Sequence, residues 1–472
     1  MDSSKPKDSL QNSILSYLIE DAIRKLRKKH KLSKQSKSVA SSIQSTIEAF
    51  TSLRQELKTT STFTLMAWHE LFLRCHELYG TLGGILTADH WQAPAFGSNG
   101  VNEVGDEQRK IIANLNDYKR DQHPMGLLWE HAYAKAFLIH SFMEVPTAFA
   151  TTSGMAALTV AALVVRQRLP KEYRIAVGEH SYFENHELLH MMFPAERIVL
   201  FDERQPASLR AMRPNAIFFD LLANDPSMTV ADVSGILSVA ARMGHHVDVV
   251  VDTACTSMEH FRVPVMTRVT GKVSIIGFES LNKYHQFGLD RTTGGVLWAY
   301  GILNDMVYRV RDHAGVIIPE SAAATLPTPY RSLHKQYLNR LQHNAMYLAK
   351  AMQDISNIRV SYPGLPSHTG HVVAKRVGYF GSFISVEFPG QSWRKYRPVM
   401  RSILAEAKKK NVPIVSGSSF GMPITRIYTW SPRSQFEKPF LRIAPGLESP
   451  EDIARIRGVV IPVLRNCVKE YR

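Results

Sequence analysis

Lys283 stands in the run Phe278-Glu279-Ser280-Leu281-Asn282-Lys283-Tyr284, directly after the apolar segment Val273–Phe278, which reads as a strand. An amine so placed, with Ser280 and Asn282 beside it, can condense with an aldehyde while its neighbours hydrogen-bond an anion. Partial desolvation and nearby positive charge would lower its pKa enough to make it nucleophilic. Asp252 closes a second run, Val247–Val251. A carboxylate at the end of a buried strand calls for a cationic partner, and either a protonated heterocyclic nitrogen or an arginine would serve. In Thr151-Thr152-Ser153-Gly154-Met155-Ala156-Ala157 a strand gives way at once to a helix, whose free N–H groups and positive dipole end suit an anion such as phosphate. Taken singly, Lys283 reads first as a surface lysine, Asp252 as half of a structural ion pair and Ser153 as an ordinary N-cap.

Positioning these residues falls to a chain of 472 residues with 57 Lys+Arg, 42 Asp+Glu and a formal charge of +15. The length predicts two or three domains, and 44% hydrophobic with 21% charged residues excludes bulk disorder. Between about 118 and 315, β-rich runs (TAFATTS, RIAVGE, AIFFDLL, HVDVVVDT, VSIIGFES, TTGGVLWAY) alternate with helical stretches, one expected over 229–243. That alternation predicts an α/β fold with a mostly parallel sheet, and ligands of such sheets sit outside the carboxyl ends of the strands. Residues 1–92 read as a helical extension with helices near 10–30, 36–58 and 63–84, residues 93–325 as the large domain with an N-terminal arm, and 326–472 as a smaller C-terminal α+β domain. No Gly-x-Gly-x-x-Gly or Walker A motif occurs. Cys75, Cys255 and Cys467 are too scattered for a disulfide framework or a cysteine zinc cluster. No apolar stretch is long enough to cross a bilayer and no secretory signal is evident, so the expected location is cytoplasmic, with no membrane partner.

Together the three runs satisfy pyridoxal 5'-phosphate (PLP), which needs an anion cradle, a carboxylate opposite its pyridine nitrogen and an imine-forming lysine. Here the sequence resembles the Cys/Met-metabolism family of PLP enzymes, the cystathionine synthases and lyases and their relatives. The family's Ser-Gly-Met-Ala-Ala stands intact at Ser153–Ala157. Its Asn-Pro segment and Val-Asp-Asn-Thr strand end are echoed by Asn224-Asp225-Pro226 and Val251-Asp252-Thr253, and its Ser-x-Thr-Lys-Tyr by Ser280–Tyr284. Tyr118-Lys119-Arg120-Asp121-Gln122-His123-Pro124 is similar to the family's Tyr-Ser-Arg-x-x-Asn-Pro, and Leu441–Glu448 to its C-terminal Leu-Arg-Leu-Ser-x-Gly-x-Glu.

The resemblance implies PLP fold type I (aspartate-aminotransferase-like), with Lys283 and Tyr182 as catalytic residues. It implies cofactor binding by Ser153, Gly154, Met155, Tyr182, Asn224, Asp252, Ser280, Asn282 and Lys283, joined by Tyr118 and Arg120 acting across a subunit boundary. Substrate binding would fall to Arg442, Ser419 and Tyr118, in a homodimer or homotetramer with shared active sites. The implied reaction acts on an L-amino acid with a Cβ or Cγ leaving group, by elimination or γ-replacement through a quinonoid or vinylglycine-type intermediate, with transamination as an alternative. Departures from the family pattern, notably Phe183 and Glu184 after the stacking Tyr182, Asn282 before Lys283 and Phe287-Gly288 beyond it, point to a specialised substrate.

Two other readings compete. His186-Glu187-Leu188-Leu189-His190 is a His-Glu-x-x-His, the spacing of a zinc hydrolase helix, although no third ligand follows. Residues 1–60 carry 12 Lys+Arg against 6 Asp+Glu, concentrated in Arg24–Lys37, which a nucleic-acid contact would explain. That run lacks aromatic residues, so a solvated basic helix is the expected reading and nucleic acid is not the expected partner.

Overall fold

The computed structural model describes residues 10–32, 37–59, 64–90, 92, 119–120, 122–139, 145–261, 271–429, 436 and 438–469. The β-branched and aromatic runs found in the sequence form a seven-stranded sheet in the order β1-β7-β6-β5-β4-β2-β3. Its members are β1 (Ala148–Thr151), β2 (Ile175–Gly178), β3 (Ile198–Phe201), β4 (Ala216–Asp220), β5 (Val247–Asp252), β6 (Val273–Ser280) and β7 (Gly295–Tyr300). Only β7 runs against its neighbours, pairing antiparallel with both β1 and β6. The carboxyl ends of β1, β4, β5 and β6 therefore lie on one edge of the sheet, carrying Ser153, Asp220, Asp252 and Ser280 with them or just beyond. Apolar clusters cover both faces, as a parallel sheet requires.

Helix 229–243 of the sequence reading is shorter, Val233–Ala240, because Val230 is held in a bridge with Leu222 and Asp232 caps the helix through Gly235 N–H. Strand β3 went unpredicted; its pattern is only half buried and lacks a clear periodicity. Beyond residue 330, the long helix Arg331–Met352 leads into a five-stranded sheet, β10-β11-β12-β9-β8. Its strands are β8 (Arg359–Ser361), β9 (Ile384–Glu387), β10 (Val415–Ser416), β11 (Arg426–Thr429) and β12 (Leu441–Ala444), and helix Pro450–Lys469 closes the chain.

The N-terminal helices are α1 (Leu10–Leu32), α2 (Lys37–Thr59) and α3 (Leu65–Leu86). Their apolar stripes bury Ile14, Leu18, Leu26, Phe50, Trp68 and Tyr79, while Arg24, Arg27, Lys28, His30 and Lys31 lie on the outer face. The three do not stand apart as an independent module, because they share one apolar cluster with the Arg331–Met352 helix and the small sheet. Polar ties fasten them as well. Tyr17 donates to the Thr328 carbonyl, Lys25 Nζ to the Leu326 carbonyl at 2.5 Å, and Gln11 Nε2 to the Leu447 carbonyl at 3.1 Å. The Tyr17 ring also meets the edge of Phe287 at 5.7 Å, on the segment that follows Lys283.

Deleting residues 1–90 would uncover this shared core, so the truncated chain should aggregate or melt without cooperativity, whereas Lys28→Glu on the exposed face should leave the melting temperature within about 1 °C. A soluble truncated protein with the parent melting temperature would contradict the shared core.

Candidate active site

Helix Gly154–Arg168 opens at the end of β1, and Ser153 caps it by accepting the Ala156 N–H at 3.0 Å. Two glycines let this helix end sit against the sheet. A Cβ on Gly295 would lie 2.2 Å from the Ser153 carbonyl oxygen and 2.7 Å from Gly154 N, and one on Gly154 would lie 3.0 Å from Ser280 Cβ. The start of the helix, with partly buried Met155 in its first turn, is thus packed closely against the Ser280 strand end, where a helix N-terminus can offer N–H groups to an anion. That is the cradle a phosphate requires.

Asp252 ends β5 directly beside Asp220, which ends β4. Asn185, in helix Phe183–Met192, donates its one amide nitrogen to both, at 3.1 Å to Asp252 and 3.2 Å to Asp220. The Ala254 N–H adds a bond to Asp252 at 2.8 Å, and the Tyr182 N–H one to Asp220 at 3.0 Å. Burial raises the Asp252 carboxyl to about 6. Burial and then the Asp252 charge raise Asp220 well above the usual carboxylate range, so the pair holds on to a proton near neutrality. Neither Asp220 nor Asn185 figured in the sequence reading. Asp220 closes an apolar strand just as Asp252 does, and that shared placement was the available signal.

Lys283 follows β6 and donates from Nζ to Ser419 Oγ at 3.3 Å, lying 5.0 Å from the centre of the Phe420 ring. Burial first and the Arg442 guanidinium second push its ammonium below the ordinary lysine range. Arg442, from β12, approaches the same ring at 5.3 Å, and donates to Asn224 Oδ1 at 3.0 Å and to the Ser418 carbonyl. It is 1% exposed, and burial lowers it to about 10.

Of the remaining predicted residues, Ser280 Oγ accepts the Asn282 N–H, while Asn282 Oδ1 accepts the Gly294 N–H at 3.1 Å, which spends that oxygen on shaping the Lys283 turn. Tyr182 caps its helix with its ring edge-on to Phe183 at 4.9 Å. Arg120 is exposed and lines a cavity of about 340 Å³ with His90, Lys119, Thr152 and Glu320, next to the Ser153 strand end. Tyr118 lies outside the described residues. Outward from Asn224, Phe183, Phe436 and Phe440 line a further recess together with His180, Asp225 and Lys438.

The His-Glu-x-x-His reading is corrected. His186 is 2% exposed, its ring lies flat on Phe436 at 4.8 Å, and His190 Nδ1 bonds the His186 carbonyl oxygen at 2.8 Å, so the two imidazoles pack rather than converge. Among the described residues, the group with metal-ligand geometry is His180, Asp202 and Glu203, where His180 Nδ1 already bonds Glu203 at 2.8 Å. The donor set around Lys283 does fit PLP. The helix end and its glycines suit the phosphate, Asp252 the ring nitrogen, and a desolvated Lys283 the aldehyde carbon.

Because the Asp252 carboxyl binds its proton more tightly folded than unfolded, it favours the fold most below about pH 4, and that contribution is lost as pH rises through about 6. Cofactor-free Asp252→Asn should therefore melt above the parent at pH 7, with the gap closing toward pH 4; a gap independent of pH would contradict the buried pair.

A sequence profile described as Cys/Met metabolism PLP-dependent enzyme matches residues 93–454. The bifunctional enzyme flvA of Aspergillus flavus is 26% identical over 344 residues, which cover 68% of this chain but only 40% of that protein. Cystathionine beta-lyase of Coxiella burnetii is 24% identical over 279 residues, covering 57% of this chain and 67% of the lyase. Among solved structures, metB of Corynebacterium glutamicum superposes with a TM-score of 0.61 at 21% identity over 74% of this chain and 87% of that one. Cystathionine gamma-lyase of Lactobacillus plantarum, complexed with L-serine, gives 0.60 at 19% identity over 76% and 91%. These likenesses carry the fold type I architecture, and the profile, spanning both sheets and every run that shaped the site, shows that the chain belongs to the Cys/Met metabolism family of PLP-dependent enzymes.

Proposed function

We propose that the protein acts on an L-amino acid bearing a leaving group on Cβ or Cγ, by elimination or γ-replacement, with Lys283 and Arg442 as its two working cations. The observation that supports this reading is the loop Ser418-Ser419-Phe420. Ser419 meets the Lys283 amine, the Ser418 carbonyl meets the Arg442 guanidinium, and the Phe420 ring lies 5.0 and 5.3 Å from the two cations. An amine-exchanging lysine and a carboxylate clamp held against one ring match the span between the amino and carboxylate groups of an α-amino acid. Similar chains bear the names cystathionine beta-lyase, gamma-synthase and gamma-lyase, so both elimination and replacement stay within the reading.

When bound, PLP supplies an electron sink for charge that develops at the substrate α-carbon. The protein's residues do the rest. Arg442 grips the substrate carboxylate with two parallel N–H groups, and its burial strengthens that contact. Lys283, as a neutral amine in a desolvated setting, would take the α-proton and return it where the reaction requires. Ser419 keeps the amine pointed at the α-carbon during both transfers. Asp252 holds a proton at the cofactor's ring nitrogen, while Asn185 and Asp220 keep the Asp252 carboxylate in place. Tyr182 would serve as the ring against which the cofactor packs, and the recess of Phe183, Phe436 and Phe440 would receive the substrate's distal end. Tyr118 and Arg120 serve the phosphate of a second copy of the chain, so the active unit is at least a homodimer.

Purified protein should absorb visible light as a PLP enzyme does, and borohydride should fix the cofactor on the peptide containing Lys283. Lys283→Ala should lose turnover by roughly 10⁴-fold or more. A Lys283→Ala variant with full activity, or a cofactor fixed on another lysine, would sink the assignment.

A further inference from the structure

Glu279 precedes Lys283 on β6 and His285 follows it, and both are sealed from water at 1% and 6% exposure. The chain turns between them, so that His285 Nε2 returns to within 2.9 Å of Glu279 Oε1. Tyr133 donates its hydroxyl to the same oxygen, and the Met258 N–H reaches Oε2 at 3.3 Å. On the far side the His285 ring lies face to face with His334 at 4.6 Å and meets the edge of Phe137 at 5.2 Å. His334, from helix Arg331–Met352, is itself tied to Ser257 Oγ at 2.9 Å.

A buried carboxyl–imidazole hydrogen bond is weak evidence for stability, because taking both polar groups out of water offsets most of what the bond returns, and such pairs serve better to select one geometry over its neighbours. The geometry selected here is that of the segment bearing Lys283. Between its two ends the Lys283 side chain touches Ser419 and the Phe420 ring, both from the other domain. The direction of its amine therefore depends on how firmly residues 279–285 are closed.

We propose that Glu279 and His285 are positioning residues that close this segment on itself and hold the Lys283 amine at the aldehyde carbon of the cofactor. The pair touches neither cofactor nor substrate. It acts through the backbone on either side of Lys283, and Tyr133 and His334 brace it from two directions. The proposal rests on the Lys283 reading, and the experiment separates the two.

Holoenzymes of the parent, His285→Ala, His285→Gln and Tyr133→Phe are compared by PLP dissociation constant, kcat, KM and borohydride labelling. His285→Ala should weaken PLP binding by about tenfold or more and lower kcat by about 10–100-fold with KM within about threefold, because misdirection of the amine penalises every step it takes part in. His285→Gln, whose amide can still donate to Glu279, should restore both values to within about threefold of the parent. Tyr133→Phe keeps its ring packing and loses one hydroxyl, so it should shift both values the same way by about two- to fivefold, and it decides the matter if His285→Ala does not fold. A lower melting temperature with unchanged PLP affinity and kcat would overturn the proposal. Labelling of a lysine other than Lys283 in the parent would overturn the site assignment along with it.

Discussion

A buried arginine and a half-buried lysine held beside one aromatic ring set the terms for the rest of this structure. Lys283 follows the seven-stranded sheet and Arg442 lies in the five-stranded one, and the Arg442 guanidinium makes it harder for Lys283 to stay charged out of water. They can be held there only by an interlocked backbone. Gly421 takes φ +73 where a Cβ would strike the Lys283 carbonyl at 2.6 Å, and Gly288 takes φ +86 where a Cβ would strike the Pro423 ring at 2.3 Å. The Lys283 turn and the Ser418–Pro423 loop therefore mesh through two residues with no side chain, and Tyr337 locks the contact by donating to the Gly421 carbonyl at 2.7 Å.

On the opposite side the sheet buries negative charge by the same logic. Asp220 and Asp252 are neighbours in register, and a single amide nitrogen of Asn185 serves both. Two carboxylates this close do not both ionise readily, so one proton stays with the pair. The C-terminal motif contributes in its own way. Gly446 allows the chain to pass Pro423, where a Cβ would meet the carbonyl oxygen at 2.3 Å, and the buried Glu448 carboxylate accepts the Thr425 N–H at 2.6 Å. The arginine of that motif reaches the Phe420 ring while its glycine and glutamate hold the loop that presents Ser419.

Much of this was legible in the sequence because strands announce themselves by β-branched runs, and polar residues at their carboxyl ends converge by topology alone. Ser153, Asp252 and Lys283 were found that way. Asp220 was legible by the same rule and was overlooked. Ser419 and Arg442 rested on resemblance, since a second sheet had to fold back across the first to bring them in. Glu279 and His285 could not be read at all: their partnership depends on a turn between them, on Tyr133 from a distant helix, and on burial that no periodicity encodes. The His-Glu-x-x-His spacing misled for the converse reason, as it specifies a helix face without saying whether that face meets a metal or, as here, Phe436.

The N-terminal helices, first conspicuous for their charge, owe their place to their apolar faces. They complete the core under the Arg331–Met352 helix and press Tyr17 onto Phe287, while Arg24, Arg27, Lys28 and Lys31 face solvent from the back of α1. Whether the paired cations read a carboxylate is decided by spectral titration of the holoenzyme with an L-amino acid and with its carboxamide. The carboxylate should perturb the visible band at a concentration about 100-fold lower than the amide, and Arg442→Ala should abolish that preference while the band itself remains. Equal response to acid and amide in the parent, or a preference that survives loss of Arg442, would contradict the account.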